Sequence, residues 1–453
     1  MDLKNIQRVY FVGIGGIGMS AIARFFNENG VKVSGYDRTE TTLTRQLSAE
    51  GMQIHYTDDV NLVDPQANLV VYTPAIPPTH TELKWYREKG YEVVKRSDVL
   101  QEITRELFAI TVAGTHGKTT ISTMISHILR HSGYGCNAFL GGISVNYDRN
   151  FWSSGKRVAV IEADEYDRSF LKLSPDIAVL TAMDADHLDI YGTEKDMQEA
   201  FIQYTKNIKP NGTLIAREGL QRASDLQGDN KLWYSLQSFT ANAYATNIRI
   251  QQGGYVYDVV QQNWSLKDVT LPIGGMHNIE NSVAAITVAQ LLGISDDAIK
   301  AAVADFKGIR RRFEYVINND HQVFIDDYAH HPEELRALIS SALALFPGKK
   351  CTVVFQPHLY TRTRDLADGF AESLALADEV ILLPIYPARE LPIEGVNSEM
   401  IANKIKGKPV QILQPAEVLD WLKSNTAPLF ITAGAGDIDQ LKEPAKKILE
   451  GQL

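Results

Sequence analysis

The feature that most constrains the fold is a glycine-containing loop between a predicted strand and a predicted helix. An apolar run over residues 107–112 indicates a buried strand. Apolar residues at helical spacing over residues 121–129 indicate a helix that Gly133 can end. The loop between them consists of Gly114, Thr115, His116, Gly117, Lys118, Thr119 and Thr120. A strand, a loop and a helix in this order can close backbone N–H groups around phosphate oxygens.

The side chains of this loop suit a nucleoside triphosphate. A lysine placed like Lys118 reaches the β- and γ-phosphates, and a hydroxyl placed like that of Thr119 can ligate Mg²⁺. The usual loop has a glycine five residues before Gly117, where this chain has Val112, so the loop is of a shortened kind. The sequence therefore predicts a triphosphate site with a magnesium ion.

Composition excludes several classes of protein. A chain of 453 residues is expected to form two or three domains. The formal net charge of −10, without a basic stripe, argues against nucleic acid as a partner. No apolar stretch reaches the length of a membrane span, and the start is not a signal peptide. The only cysteines, Cys136 and Cys351, fit a reducing compartment, so we expect a cytoplasmic protein with no membrane partner.

Strand and helix signals alternate in three blocks, which we place at residues 1–104, 105–312 and 313–453. Alternation of this kind predicts an α/β fold with mostly parallel sheets covered by helices. Residues 247–271 interrupt the alternation, and the run 255–257 after two glycines indicates a hairpin strand.

The first block opens with a second glycine loop. A strand over residues 9–12 leads into a match to G-x-G-x-x-G, and a second strand over residues 31–36 ends at Asp37. Taken alone, this pattern indicates a dinucleotide site and an NAD- or FAD-dependent enzyme. A UDP group fits equally well, because any diphosphate can sit on the N-terminus of the following helix. A strand-turn-helix without a ligand is the third alternative.

Acidic residues follow two strands of the second block. The strand over residues 158–161 is followed by Glu162, Asp164 and Glu165, and the strand over residues 177–181 leads to Asp186 and His187. The carboxyl ends of parallel strands are where α/β sheets bind ligands, and Mg²⁺ prefers carboxylate oxygens beside phosphate. A solvated acidic turn and a capped helix start remain the alternatives for these segments.

Polar residues also follow two strands of the third block. Asp327 and His330 come after a strand over residues 323–325 and before a helix that begins near Pro332. His358 and Arg362 follow a strand over residues 352–355. These two side chains suit a carboxylate substrate, because a guanidinium group binds carboxylates with two hydrogen bonds.

The order of these motifs resembles that of the Mur ligases of peptidoglycan synthesis over nearly the whole chain. The segments that carry the resemblance are the two glycine loops and residues 162–165, 186–187, 277–281, 312–314, 327–332 and 356–358. The resemblance implies three domains: a Rossmann-like N-terminal domain, a central P-loop-type ATPase domain with a mostly parallel sheet, and a Rossmann-like C-terminal domain.

The activity implied is ATP-dependent ligation of L-alanine to the lactyl carboxylate of UDP-N-acetylmuramate through an acyl-phosphate. ATP and Mg²⁺ are the implied cofactors, and a monomer or homodimer is expected. The implied contacts with the UDP-sugar are Gly13, Gly15, Gly16, Gly18, Met19, Ser20 and Asp37. The loop of residues 114–120 would bind ATP, with Asn278 at the adenine end.

The resemblance also implies roles for individual side chains. Thr119, Glu165 and His187 would hold magnesium. The catalytic set would be Lys118, Arg312, Asp327 and His330, of which Arg312 and Asp327 reach ATP only when the third domain closes. His330 would help to remove the proton of the amine, and His358 and Arg362 would bind the amino acid.

This chain departs from the family pattern at three positions, Tyr10, Ala182 and Leu359. The family often has an arginine at the position of Leu359, so binding of the amino-acid carboxylate must depend on Arg362 or another group. The alternative within the family is the recycling ligase that attaches a preformed peptide to the same UDP-sugar. An NAD or FAD oxidoreductase is a distant alternative, because it leaves the loop of residues 114–120 unexplained, and a non-catalytic nucleotide-binding regulator is another.

Overall fold

The computed structural model describes residues 3–388 and 390–451, which form three β-sheets covered by helices. The first sheet has the strand order β3-β2-β1-β4-β5, and its strands pair in parallel. Its strands are β1 (Arg8–Val12), β2 (Lys32–Tyr36), β3 (Gln53–His55), β4 (Leu69–Tyr72) and β5 (Val93–Lys95). Its helices are α1 (Ile17–Glu28), α2 (Thr42–Ala49), α3 (Thr81–Glu88) and α4 (Arg96–Glu106).

The second sheet carries the loop of residues 114–120, which we call the triphosphate loop. Its strands are β6 (Phe108–Ala113), β7 (Asn137–Ser144), β8 (Arg149–Trp152), β9 (Val158–Glu162), β10 (Ile177–Leu180), β11 (Thr213–Arg217), β12 (Asn230–Ser235), β13 (Ala243–Gln251), β14 (Gly254–Gln261) and β15 (Trp264–Leu271). They lie in the order β15-β14-β13-β12-β11-β10-β6-β9-β7-β8. Strand β6 pairs in parallel with β9 and β10, so the loops that follow these three strands meet at one edge. The accompanying helices are α5 (Lys118–His131), α6 (Leu188–Tyr191), α7 (Glu194–Thr205), α8 (Met276–Leu291) and α9 (Asp296–Asp305).

The third sheet has the order β16-β17-β21-β18-β19-β20; its edge pair β16–β17 is antiparallel, and its other four strand pairs are parallel. Its strands are β16 (Glu314–Asn318), β17 (Val323–Asp327), β18 (Cys351–Phe355), β19 (Glu379–Leu382), β20 (Val410–Ile412) and β21 (Leu429–Ala433). Its helices are α10 (Pro332–Leu345), α11 (Tyr360–Asp365), α12 (Ala367–Leu374), α13 (Glu399–Ala402), α14 (Pro415–Ser424) and α15 (Lys442–Leu449). Short 3₁₀ helices lie at Leu3–Asn5, Ser169–Lys172, Ala223–Asp225 and Asp437–Leu441.

The predicted α/β class with mostly parallel sheets is confirmed. The chain divides into two compact units. The first consists of Met1–Thr246, Val259–Lys267 and Glu280–Val303, and the second of Asn247–Asp258, Asp268–Ile279 and Ala304–Leu453. The boundaries near residues 104 and 312 stay predictions. Within the described residues, no helix combines the length and apolar character that a membrane crossing requires.

A buried polar contact joins α1 of the first sheet to β8 of the second, both in the first unit. The Arg24 side chain is 1% exposed; it donates to the Asn150 side-chain oxygen at 2.5 Å and to both carboxylate oxygens of Glu50. The Asn150 amide donates in turn to the carbonyl of Ile17 at 2.6 Å and to the Ser20 hydroxyl at 2.9 Å. Because Ile17 begins α1, Asn150 holds the exit of the first glycine loop against the second sheet.

We expect Arg24→Ala to lower the free energy of unfolding of the first unit by about 3–5 kcal/mol, because it leaves the Asn150 side-chain oxygen without its buried donor and the Glu50 carboxylate with only the half-exposed Arg149 nearby. The measurement is urea-induced unfolding. The matched control is Arg149→Ala, which removes the half-exposed arginine that lies 3.4 Å from Glu28 and 3.8 Å from the same Glu50, and which should cost less than about 1 kcal/mol. Equal losses for the two variants would contradict the structural role given to Arg24.

Candidate active site

The triphosphate loop lies between β6 and α5 and requires glycine at two positions. Gly114 has φ +128° and Gly117 has φ +77°, which is the left-handed region that favours glycine. A Cβ atom on Gly114 would lie 2.7 Å from the backbone nitrogen of Ala182, and one on Gly117 would lie 2.8 Å from the Asn281 side-chain oxygen. Side chains are therefore excluded on both steric and conformational grounds.

Lys118, the first residue of α5, is held inside the loop by two hydrogen bonds. Its ammonium group donates to the carbonyl of Gly114 at 2.6 Å and to Glu165 Oε1 at 2.7 Å. The Lys118 side chain is 14% exposed and that of Glu165 is 2% exposed. Burial raises the pKa of Glu165 above its ordinary value, and the positive charge of Lys118 opposes that shift. The positively charged ammonium group of Lys118 thus lies next to the place where the loop can bind phosphate.

Carboxylates surround the first turn of α5. The Thr119 hydroxyl donates to Glu162 Oε1 at 3.0 Å, and the backbone N–H of Gly141 donates to Glu162 Oε2 at 3.0 Å. Asp186 and His187 lie beside Glu165, with His187 Nε2 3.9 Å from Glu165 Oε1 and 3.6 Å from Asp186 Oδ2. These three side chains can present ligand atoms within 4.8 Å of one another.

The donor set near Glu165 fits a divalent cation. Glu165 Oε2 is buried and accepts no hydrogen bond from any residue that the structure describes, so it lacks the partner that a buried carboxylate oxygen needs. The Thr115 hydroxyl within the loop is also buried without a partner in the described part of the chain. Carboxylate oxygens beside a phosphate-binding loop are the ligands that Mg²⁺ prefers.

The first glycine loop connects β1 to α1. The N–H groups of Gly13 and Ile14 donate to the carbonyl of Tyr36 at 2.8 and 3.0 Å. Asp37, the residue after β2, accepts a hydrogen bond from the N–H of Gly15 at 2.7 Å. Asp37 therefore shapes the loop itself.

Two predicted contacts of this loop point into the protein. Met19 is buried, and the hydroxyl and N–H of Ser20 donate to the carbonyls of Ile17 and Gly16. The Ser20 hydroxyl also accepts from Asn150. Ser20 thus has its donors engaged within the protein.

In the second unit, Asp327 at the end of β17 shapes the preceding turn. Its carboxylate accepts from the N–H of Phe313 at 2.6 Å and from that of Ala329 at 2.7 Å. Burial raises the pKa of Asp327 to about 6. Arg311 and Phe313 adopt positive φ angles of 60° and 48°, and Arg312 between them is exposed. The carboxylate thus stabilises a turn that presents Arg312 to solvent.

His330 and His358 of the second unit lie close together. His330 Nδ1 lies 2.9 Å from the carbonyl of Tyr328; because a carbonyl only accepts, Nδ1 carries a proton, and in the neutral ring Nε2 then has the lone pair. The ring of His358 stacks on Tyr386 with centroids 5.8 Å apart and lies 6.3 Å from the ring of His330. Arg362 Nη1 donates to His358 Nδ1 at 3.4 Å. Burial, with the charge of Arg362, lowers the pKa of His358.

Three family models match successive parts of the chain. They are described as Mur ligase family, catalytic domain (residues 8–107), Mur ligase middle domain (residues 112–289) and Mur ligase, glutamate ligase domain (residues 311–436). A protein of Phocaeicola vulgatus named UDP-N-acetylmuramate–L-alanine ligase is 49% identical over 97% of both chains, and one of Flavobacterium johnsoniae with the same name is 46% identical over 100% of both. The chain belongs to the Mur ligase family.

Solved structures agree with this membership. The crystal structure of the UDP-N-acetylmuramate–alanine ligase MurC from Thermotoga maritima superposes with a TM-score of 0.83 at 27% identity and covers 99% of this chain and 100% of its own. The murein peptide ligase of Psychrobacter arcticus superposes with a TM-score of 0.67 at 21% identity, covering 98% of both chains, and shares the fold.

The structure of this Mur ligase brings together Lys118, Thr119, Glu165 and His187. Asn278 lies in the second unit, where its side-chain amide donates to the carbonyl of Gly274 at 2.6 Å. The roles predicted for the site residues remain predictions.

Four residues at the site were not among the predicted site residues. Glu162 and Asp186 belong to the acidic segments after β9 and β10, so their position in the sequence was the signal. Asn281 lies against Gly117 and belongs to the segment 277–281. Arg96 begins α4 and gave no signal in the sequence.

The three departures from the family pattern are accommodated locally. The Tyr10 hydroxyl is buried and donates to Glu82 Oε2 at 2.5 Å. The carbonyl of Ala182 accepts from the N–H of Thr115 at 3.2 Å. Leu359 has φ +70°, and its N–H donates to the carbonyl of Tyr386 at 2.9 Å.

Asp326, beside Asp327 in β17, makes the second unit sensitive to pH. It is fully buried; one carboxylate oxygen accepts from the Thr432 hydroxyl at 2.7 Å, and the other has no partner among the described residues. Burial raises the pKa of Asp326 from 3.8 to about 7. The folded state therefore binds a proton more tightly than the unfolded state, and this contribution to stability is lost as the pH rises from about 4 to about 7.

We expect Asp326→Asn to remove this pH dependence, because an amide does not ionise in this range. Relative to the variant, the wild-type protein should lose stability between pH 4 and pH 8, by an amount on the order of a few kcal/mol. The measurement is the urea midpoint of the second unit at both pH values, with the exposed Asp320→Asn as control. A constant difference between wild type and Asp326→Asn across this range would contradict the raised pKa.

Proposed function

We propose that this Mur ligase joins L-alanine to UDP-N-acetylmuramate at the expense of ATP, as a cytoplasmic step of peptidoglycan precursor synthesis. The observation that carries the proposal is that the relatives matched over essentially the whole chain, at 42–49% identity, bear the name of this activity. The triphosphate loop, with Lys118 hydrogen-bonded inside it, supports the use of ATP.

The chemistry requires an activated carboxylate, because a free carboxylate is a poor electrophile. The lactyl carboxylate oxygen attacks the γ-phosphorus of ATP, and ADP leaves. The amine of the amino acid then attacks the acyl-phosphate carbon, the amine loses a proton, and inorganic phosphate leaves from the tetrahedral intermediate. Both steps depend on positioning and on neutralisation of charge, as in other phosphoryl transfers.

Residues of the first unit would neutralise the phosphate charge. Lys118 would exchange its hydrogen bonds to Gly114 and Glu165 for phosphate oxygens. Thr119, Glu165 and His187 would hold Mg²⁺, which when bound supplies positive charge to the phosphate oxygens. The unpartnered Oε2 of Glu165 supports this assignment.

Residues of the second unit would act on the amino acid. His330 Nε2, which has the lone pair, would accept the proton of the attacking amine. Arg362 would bind the amino-acid carboxylate, since Leu359, three residues before it, offers no charge. Arg312 would add positive charge to ATP, with Asp327 holding the turn that presents it.

The first glycine loop would bind the UDP group of the sugar. ATP has its own loop after β6, so the loop after β1 is available for a second nucleotide diphosphate. The domain boundaries near residues 104 and 312 belong to this proposal, with the UDP-sugar in the first domain, ATP in the second and the amino acid in the third.

The decisive assay measures phosphate released from ATP with UDP-N-acetylmuramate, MgCl₂ and one acceptor at a time. We expect release with L-alanine, glycine or L-serine, whereas the recycling alternative requires a tripeptide acceptor. Release with the tripeptide alone would favour the recycling ligase. No release with any acceptor would contradict the proposal.

Lys118→Ala tests the assignment of the two nucleotide sites. We expect kcat for phosphate release to fall by at least about a hundredfold, because the loop loses the cation that neutralises the phosphates. The Kd for UDP-N-acetylmuramate, measured by calorimetry without ATP, should stay within about twofold of the wild-type value. Retained sugar binding also shows that the variant is folded.

The control for this variant is Lys84→Ala, which removes an exposed lysine of α3 and should leave both quantities unchanged. Loss of both phosphate release and sugar binding in Lys118→Ala would mean that the two sites are misassigned.

A further inference from the structure

Arg96 occupies an unfavourable position for a cation unless an anion binds beside it. It is the first residue of α4, where the helix dipole presents partial positive charge. Its side chain is only 20% exposed, so the guanidinium group is largely removed from water. A side chain in this position needs a negatively charged partner.

Arg96 touches both the first glycine loop and the acidic segment after β9. Its guanidinium carbon lies 3.1 Å from the position that a Cβ atom on Gly18 would take, so glycine is what allows the approach. Arg96 Nη2 donates to Asp164 Oδ2 at 3.0 Å. In the described part of the chain this is its one hydrogen bond, which leaves further guanidinium N–H groups available.

Asp164 is attached only partly to Arg96. Its other carboxylate oxygen accepts from the backbone N–H of Tyr166 at 3.1 Å, and its side chain is 42% exposed. Asp164 can therefore move into water without leaving a buried charge, while its backbone stays in place through the hydrogen bonds that its carbonyl accepts from Ser169 and Phe170.

A cavity of about 200 Å³ lies at this pair, within the first unit. Its lining includes Gly18, Arg96, Gly141, Glu162 and Asp164. Glu162 also accepts from the Thr119 hydroxyl of the triphosphate loop. The cavity is thus lined by the first turn of α1, by Arg96 and by a carboxylate that contacts the loop of residues 114–120, so an anion bound in it would lie beside both loops.

The first turn of α1 adds donors for an anion. No hydrogen bond from the N–H groups of Ile17, Gly18 and Met19 to any described residue is present, as expected for the first turn of a helix. An anion at this turn is favoured by the helix dipole, and a guanidinium group beside it can bind phosphate oxygens with two hydrogen bonds.

We propose that Arg96 binds the diphosphate of the UDP-sugar, and that Asp164 occupies the guanidinium group until the substrate displaces it. This inference rests on the proposed function and adds a residue that the substrate recruits from outside the glycine loop. The diphosphate carries more charge than one carboxylate, so it competes successfully with Asp164 for Arg96.

The test compares Arg96→Gln with Asp164→Asn, by calorimetric titration with UDP-N-acetylmuramate in the absence of ATP. We expect Arg96→Gln to raise Kd by about tenfold or more, because a charge-assisted contact is lost. We expect Asp164→Asn to lower Kd severalfold, because the competing carboxylate is gone. A purely structural ion pair predicts the same direction for both variants, so weaker binding in both would overturn the proposal.

A second probe separates the diphosphate from the lactyl carboxylate as the ligand of Arg96. UDP-N-acetylglucosamine has the diphosphate and lacks the lactyl group. Arg96→Gln should weaken its binding as much as that of UDP-N-acetylmuramate. A loss confined to UDP-N-acetylmuramate would place the carboxylate at Arg96 and overturn the proposal.

The matched control is the neighbouring ion pair between Lys172 and Asp98, which also connects α4 to the segment after β9. Lys172→Gln and Asp98→Asn should leave Kd within about twofold of wild type.

If Arg96→Gln does not fold, the direction of the change in Kd for Asp164→Asn decides alone. Wild-type protein that binds neither UDP-sugar would refute the proposed function, whereas normal wild-type binding with unchanged variants would refute this inference only.

Discussion

The buried ion pair between Lys118 and Glu165 is the interaction on which the candidate active site of the first unit depends. It connects the first residue of α5 to the segment after β9 and places a cation inside the triphosphate loop. Removing two charges from water costs free energy that their attraction only partly returns. The pair is therefore weak evidence for stability and stronger evidence for a site where an anion and a divalent cation exchange partners with these two side chains.

The same logic extends to the first glycine loop. Arg24 and Asn150, whose side chains are buried, fix the start of α1 against the second sheet through hydrogen bonds, whereas Arg96 holds a half-exposed Asp164 that can leave. One connection is rigid because its groups have no alternative partner. The other can be exchanged because water can receive the carboxylate. A substrate that spans both loops would bind against the fixed start of α1 and would take the place of the Asp164 carboxylate at Arg96.

Much of the fold could be predicted from the sequence because its signals are local. The strand before Gly114, the helix after Lys118 and the helix that begins at Pro332 follow from apolar spacing and from the conformational preferences of glycine and proline. Part of the candidate site could also be predicted, since Glu165 follows β9 and His187 follows β10, and both strands pair with β6. Arg96 could not be predicted, because its role depends on Gly18 and Asp164, which lie 78 and 68 residues away in the chain.

The sequence by itself determined that this chain has two glycine loops, an α/β fold and the motif order of a Mur ligase. These properties depend on residue types at fixed spacing, and spacing is preserved in any conformation. Only the tertiary structure decided which polar and charged side chains contact one another. Lys118 pairs with Glu165 and Thr119 with Glu162 because parallel pairing of β6 with β9 brings the ends of these strands to one edge of the sheet. Arg96 reaches Asp164 from the start of α4, which follows β5 of the first sheet. Electrostatic interactions act through space, so their partners are set by the register of strands and not by order along the chain.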